Sequence, residues 1–175
     1  MKVSVGIALG EREELIQVEE EDLISFPRGI IGFEEFGRYA LFSLEQGLYL
    51  LQTVSDPHVG FVLLDPTALD PDYPLAFPEE EKEPLGLGKD EQPVLLCITT
   101  LSQEGAPETV NLRAPIAINP AIRVGTQVVL QDSGYPTRGL ISRFAGRGGG
   151  SEPLGRCTSP SPSPASVPDA GVDQC

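Results

Sequence analysis

The chain has 175 residues, 40% of them hydrophobic, which is enough for one ordinary domain with a substantial core and too few for two. Asp and Glu number 26 against 12 Lys and Arg, giving a net charge of −14. That balance speaks against direct nucleic acid binding, because each carboxylate opposes the counterion release that drives phosphate-backbone contact. It suits a dispersed protein or one whose partners are basic. No apolar run reaches the roughly 18 residues of a membrane helix. Met1 to Gly6 has no continuous apolar stretch of a secretory signal, so a cytoplasmic location without membrane attachment is expected.

In chain order, Val3, Val5, Ile7 and Leu9 alternate with polar or small residues, the period-two signature of a half-buried strand. Leu15 to Val18 reads as either strand or helix, because Glu11-Arg12-Glu13-Glu14 would also suit a helix start. Tyr39 to Leu44, Leu48 to Val54 and Val59 to Leu64 are short apolar runs separated by Glu45-Gln46-Gly47 and Asp56-Pro57-His58. Those separators have turn chemistry at hairpin length. Glu79 to Leu87 is the best helical candidate, opened by Pro78, stopped by Gly86 and Gly88, and shortened by Pro84. Val94 to Leu101, Ile116 to Ile118 and Thr126 to Leu130 add three more strands. Runs without alternation, such as Phe61-Val62-Leu63-Leu64, imply strands covered on both faces.

Strands therefore dominate residues 1–144. The expected fold is mostly β: a small antiparallel β-barrel-like domain, or a sandwich, with one or two short helices. Composition changes after Phe144: Gly, Pro and Ser supply 16 of the 31 residues from Ala145 to Cys175, including the repeat Ser159-Pro160-Ser161-Pro162-Ser163-Pro164. Such a segment buries too little apolar surface to offset its ordering entropy, so residues 145–175 are expected to form a disordered tail. Removing it leaves −13 on residues 1–144, so the acidity belongs to the domain.

Catalytic chemistry finds little support. Cys97, Cys157 and Cys175 form no Cys-x-x-Cys pair, and His58 is the only imidazole, so neither a zinc site nor a disulfide framework is expected. Cys97, within Val94-Leu95-Leu96-Cys97-Ile98, reads as a small buried hydrophobe, and His58 as an exposed turn residue. No Gly-x-Ser-x-Gly elbow occurs. Leu85-Gly86-Leu87-Gly88-Lys89-Asp90 fails as a phosphate loop, with Glu83 where a glycine is needed and Asp90 where Ser or Thr is needed. Glu19-Glu20-Glu21-Asp22 and Glu79-Glu80-Glu81-Lys82-Glu83 lack calcium-loop alternation and read as solvated charge. No catalytic residue, metal or cofactor is expected, and recognition is what remains.

Three blocks give that recognition an object. The first is Asp22-Leu23-Ile24-Ser25-Phe26-Pro27-Arg28-Gly29-Ile30-Ile31-Gly32-Phe33-Glu34 followed by Tyr39-Ala40-Leu41. The second is Leu51-Gln52, Phe61-Val62-Leu63-Leu64-Asp65-Pro66 and Asp72-Tyr73. The third is Asn111-Leu112-Arg113-Ala114-Pro115-Ile116-Ala117-Ile118-Asn119, continuing through Arg123, Gly125 to Leu130 and Tyr135-Pro136-Thr137-Arg138. In order and spacing they resemble the flagellar assembly factor FliW family over about residues 1–141. The tail departs from the pattern of that family, whose members end soon after the third block.

The resemblance implies a barrel-like bacterial protein without enzymatic activity. It further implies two partners: the RNA-binding translational repressor CsrA, whose silencing of flagellin messages it relieves, and flagellin itself, in a partner switch. The polar members of the blocks, Glu34, Asn111, Arg113, Arg123 and Arg138, are the candidate partner contacts; Asn111 could instead be a turn residue and Arg113 an internal ion-pair partner. Gly29 and Gly32 are expected at tight-turn, positive-φ positions, Pro66 and Pro115 at strand ends, and Phe33 and Tyr39 in or beside the core. Two other classes stay open. A small barrel-shaped enzyme or ligand binder would show a deep apolar pocket with converging acids, whereas a filled barrel with an acidic outer patch would favour recognition. A structural flagellar subunit would self-assemble.

Overall fold

The computed structural model of the chain describes residues 1–74, 76–144 and 163–164. Apart from Ser163–Pro164, the expected tail of 145–175 lies outside the described residues. β1 (Lys2–Leu9) and β2 (Arg12–Glu19) form an antiparallel hairpin across Gly10, whose φ is +67°. The ambiguous Leu15 to Val18 is thus strand, with Ile16 and Val18 packing beside Val5 and Ile7. A second sheet contains β3 (Ile24–Ser25), β4 (Arg38–Ser43), β5 (Leu48–Thr53), β6 (Gly60–Leu64), β7 (Val94–Leu101), β8 (Pro107–Val110), β9 (Ile116–Asn119), β10 (Val124–Gln127) and β11 (Gly139–Leu140).

The pairing of this sheet closes on itself. Strands run β3-β4-β5-β6-β7 on one side and β3-β10-β9 on the other, and β9 pairs with β7 through Val94↔Ile118, Leu95↔Ala117 and Leu96↔Ile116. Closure gives each strand of the ring a neighbour on both sides, as in a barrel, although the two-residue β3 covers only Arg38 and Tyr39 of β4. One link is parallel, the single Val124↔Ser25 bridge, so the expected antiparallel barrel has one exception. Beyond the ring, the last residues of β7 turn to pair with β8, which in turn holds β11.

Alternation sorts each strand between two cores. Tyr39 and Leu41, Leu51, Phe61 and Leu63, Leu96 and Ile98, and Ile116 and Ile118 fill the barrel with Phe26 and Ile30. Their neighbours face outward under cover. Ala40, Phe42 and Leu50 lie beneath the β1–β2 hairpin, while Val62, Leu64, Cys97 and Ala117 lie beneath the segments carrying Tyr73, Leu85, Leu112, Val128 and Leu130. This double coverage explains why Phe61-Val62-Leu63-Leu64 reads as a continuous apolar run. Each such side chain, fully buried, stabilises the fold by about 1.5–3 kcal/mol relative to exposure.

Helical structure among the described residues is confined to three-residue 3-10 turns. The expected helix over 79–87 is two of them, Glu79–Glu81 and Glu83–Leu85, ended by Gly86 at φ +68°. Pro84 sits inside the run and limits its length. Lys82, buried in this segment, is held by the Glu79 carboxylate at 3.0 Å and the Lys89 carbonyl at 2.8 Å. The strand expected over 126–130 ends at Gln127; Val128 and Leu130 then donate their N–H groups to the Pro115 and Arg113 carbonyls instead.

Candidate partner-binding surface

The turn after β3 begins the candidate surface. Gly29 (φ +66°) and Gly32 (φ +85°) both occupy the left-handed region, as their spacing predicts. A Cβ on Gly29 would lie 2.5 Å from the Glu34 Cα, so the turn closes only over glycine. The two isoleucines between them separate: Ile30 is 1% exposed in the barrel core, and Ile31 is 59% exposed. The Ile31 N–H donates to the Gln127 Oε1 at 3.0 Å, while the Gln127 Nε2 donates to the Ala114 carbonyl at 3.1 Å. Gln127 thereby ties this turn to the segment leading into β9.

Gln127 also lines a surface groove of about 690 Å³ with Phe77, Val129 and Tyr135 among its apolar walls and Glu80, Glu81 and Asp132 at its acidic rim. Val129 is 38% exposed. Arg28 neutralises part of the rim, since its guanidinium donates to the Glu81 carboxylate at 2.7 Å. The result is an apolar strip bordered by acids, a surface suited to a basic partner that also offers an apolar anchor.

The five candidate contacts do not converge on one point. The Glu34 Oε1 accepts the Gly32 N–H at 3.0 Å; that bond, followed by its own N–H, holds this exposed carboxyl below the usual carboxylate range. Asn111 is a turn residue, its Oδ1 accepting the Ala114 N–H at 3.0 Å. Arg113 is exposed; its N–H donates to the Pro136 carbonyl and its own carbonyl accepts the Leu130 N–H, so it sits beside the groove. Arg138 is likewise exposed, next to β11. Arg123 stands apart at the β3–β10 bridge with φ +55°, its carbonyl accepting the Ser25 N–H and its guanidinium 3.7 Å from the Asp22 carboxylate. Among the described residues an ion pair of the kind considered for Arg113 is formed by Arg123, with a partly exposed Asp22.

Ile31 and Val129 were not among the candidates. Both stand in the blocks of resemblance, yet adjacent apolar residues give no periodic signal of which one turns outward.

A second groove, of about 520 Å³, runs between the end of β1 and β6, with Leu9, Leu44, Leu50, Val62 and Leu101 among its lining residues. Its polar residues are largely committed to structure. The Gln52 Nε2 donates to the Asp56 and Val59 carbonyls, each at 2.8 Å, and so holds the 54–59 turn. His58 is an exposed turn residue whose N–H donates to the Asp56 carboxylate at 2.9 Å. The Ala8 N–H donates to the Pro57 carbonyl and docks the hairpin on that turn.

Two deeper groups are shielded from solvent. Burial pushes the Cys97 thiol up to about 12, and the Tyr73 hydroxyl, also raised by burial, donates to the Leu112 carbonyl at 2.7 Å. Among the described residues no group of three His, Cys, Asp or Glu side chains is arranged to hold a metal ion.

Comparison with known proteins places this architecture. Residues 10–141 match the family model described as "FliW protein". The chain is 37% identical over 126 residues to the flagellar assembly factor FliW of Natranaerobius thermophilus, covering 70% of this chain and 83% of that protein. To the factor of the same name from Thermotoga neapolitana it is 34% identical over 131 residues, covering 73% and 87%. A solved structure described as the crystal structure of the flagellar assembly factor FliW superposes with a TM-score of 0.68 at 33% identity, covering 78% of this chain and 96% of that one.

Proposed function

The chain belongs to the FliW family of flagellar assembly factors, and we propose that it acts without covalent chemistry, by occupying in turn the surfaces of a CsrA-type repressor and of flagellin. Bound to the repressor, it relieves silencing of flagellin messages; captured by flagellin, it releases the repressor. Both encounters take place in the cytoplasm, with residues 1–144 as the binding unit. No helix among the described residues is long and apolar enough to cross a membrane.

The family match across the barrel carries this reading. The physical chemistry supports it in two respects. Side chains fill the barrel interior, which favours recognition by an outer surface over a ligand held inside. The −13 charge of residues 1–144 also produces a negative field that speeds encounter with the positive surface an RNA binder requires. Charge gives rate, while durable affinity comes from a desolvated apolar centre. Ile31, Val129 and the groove that Val129 lines supply such a centre, with Glu34 in the Ile31 turn and Arg113 beside the groove as polar contacts.

The decisive experiment mixes the purified protein with a CsrA-type repressor bound to labelled target RNA. Complex formation with RNA release, reversed by added flagellin, is the expected result. A protein that binds neither companion refutes the proposal. Rising salt slows association steeply and leaves dissociation nearly unchanged; a salt-independent association rate refutes electrostatic steering.

A further inference from the structure

The β1–β2 hairpin has one edge in use and one that is open. At the β1 edge the Ala8 N–H donates to the Pro57 carbonyl at 2.9 Å, so Ala8 turns its backbone groups away from β2. Ala8 lies opposite Glu13, and opposite residues of an antiparallel pair turn either toward each other or apart together. Glu13, Leu15, Gln17 and Glu19 therefore point their N–H and carbonyl groups out of the hairpin. The Glu20 N–H donates to the Met1 carbonyl at 2.8 Å, so the even-numbered residues turn inward, as this parity requires. Among the described residues no strand pairs with the outer edge of β2.

Such an edge is a template for another extended chain unless shortness, a bulge, proline or lysine blunts it. β2 runs eight residues in unbroken register, with neither proline nor lysine. What it carries is glutamate. Glu11, Glu13 and Glu14 stand at one end and Glu19, Glu20 and Glu21 at the other, with Arg12 the one cation between them. The centre, Leu15-Ile16-Gln17-Val18, is uncharged, and Leu15 is 67% exposed. Glu19 lies near the terminal amino group and Glu20 near Arg38. Glu13 and Glu14 have no ion-pair partner among the described residues and are exposed.

This pattern selects the occupant. Outward residues can pair only with outward residues, which limits the registers open to a second copy. Pairing about Leu15 sets Glu11 against Glu19, about Ile16 sets Glu13 against Glu19, and about Gln17 sets Glu14 against Glu20. Like charges directly opposite destabilise a pair. A segment with an apolar centre and lysine or arginine on its flanks meets no such conflict. We propose that the outer edge of β2 is a docking site for an extended segment of this kind from a partner protein, which joins the hairpin as a third strand through backbone hydrogen bonds. The inference is independent of the partner-switch reading, since it uses a different surface and needs neither of those partners.

The capped heptapeptide Lys-Val-Thr-Val-Val-Lys-Lys, laid antiparallel, places its first residue opposite Glu19 and its last opposite Glu13. Titrated into the full chain and followed by NMR, it is expected to slow hydrogen exchange at Leu15 and Gln17, the central amides that gain acceptors. N-methylation of its third and fifth residues, which face Gln17 and Leu15, removes donors to the edge and is expected to weaken binding by about tenfold or more. N-methylation of its second and fourth residues, whose N–H groups face away, is expected to change binding by less than about twofold. Reversing the charge, in Glu-Val-Thr-Val-Val-Glu-Glu, is expected to weaken binding by about tenfold, and E13K/E14K to reverse that preference. No binding of the basic peptide, or equal losses from the two N-methylated forms, overturns the strand docking. Equal affinity for the basic and acidic peptides overturns the assignment of a basic partner.

Discussion

Gly125 offers a direct test of how the barrel interior is filled. It is buried on β10, and a Cβ built there would lie 2.6, 2.8 and 3.1 Å from Cζ, Cε1 and Cε2 of Phe26. Carbon atoms pack at about 3.5–4.0 Å, so in G125A the Phe26 ring must retreat by about 1 Å. It has little room: Phe26 is 1% exposed and meets the Tyr39 ring edge-on at 5.1 Å between centroids. Overpacking a core of this kind costs about 1–3 kcal/mol. The reduced freedom of the unfolded chain on replacing glycine returns about 0.4–1 kcal/mol where the backbone accepts alanine. A net loss of about 1–2 kcal/mol is expected, read as a lower urea midpoint at unchanged m-value. Thermal unfolding should fall by about 2–4 °C for each kcal/mol. The cause is isolated by F26L, which removes the clashing ring: in the double variant the two losses should be less than additive, by at least about 0.5 kcal/mol. G125A as stable as the parent, or strictly additive losses, refutes the argument.

The remaining expectations are narrower. Y39F removes a buried hydroxyl with no hydrogen-bond partner among the described residues, so it should leave stability unchanged or raise it by up to about 1 kcal/mol; a larger loss on urea unfolding contradicts this. Asn119 donates from Nδ2 to the Leu85 carbonyl at 2.9 Å and accepts the Ala121 N–H at 3.1 Å, so N119A should cost about 1–3 kcal/mol, and a neutral result in the same assay refutes it. Two hydrogen bonds from backbone N–H groups hold Glu34 below ordinary carboxylates, so its support of the 29–34 turn is complete above its unfolded pKa and fades as pH falls through the lowered folded value; an NMR midpoint no lower than that of a glutamate in the unfolded chain refutes the assignment. I31D/V129D should leave folding intact and weaken repressor binding by about tenfold or more, and full affinity by titration calorimetry would move the contact elsewhere.

Strand positions were legible because the barrel is covered on both sides. A strand with one wet face shows alternation, as β1 does, and a strand buried on both faces shows an apolar run, as β6 and β7 do; both patterns reside in the chain itself. The turn glycines Gly29 and Gly32, the stop at Gly86 and the hairpin separators were legible for a related reason, since backbone conformation acts locally. β3, β8 and β11 escaped: they span two to four residues and, unlike the equally short β9, carry no run of three apolar residues, and they exist because a neighbour supplies the hydrogen bonds.

Sequence alone determined the strand-rich class, the acidity concentrated in residues 1–144, and the three blocks that carry the family likeness, because each is a property of residue identity and near spacing. Only the tertiary structure decided that β9 meets β7 to close the ring, that Ile30 turns inward while Ile31 faces water, and that Arg123 comes within ion-pair reach of Asp22. Each of these is a contact between segments distant along the chain, or the choice of one side chain over its neighbour at a turn. Such choices are made by competition for space and for hydrogen-bond partners in three dimensions, which no local window of sequence contains.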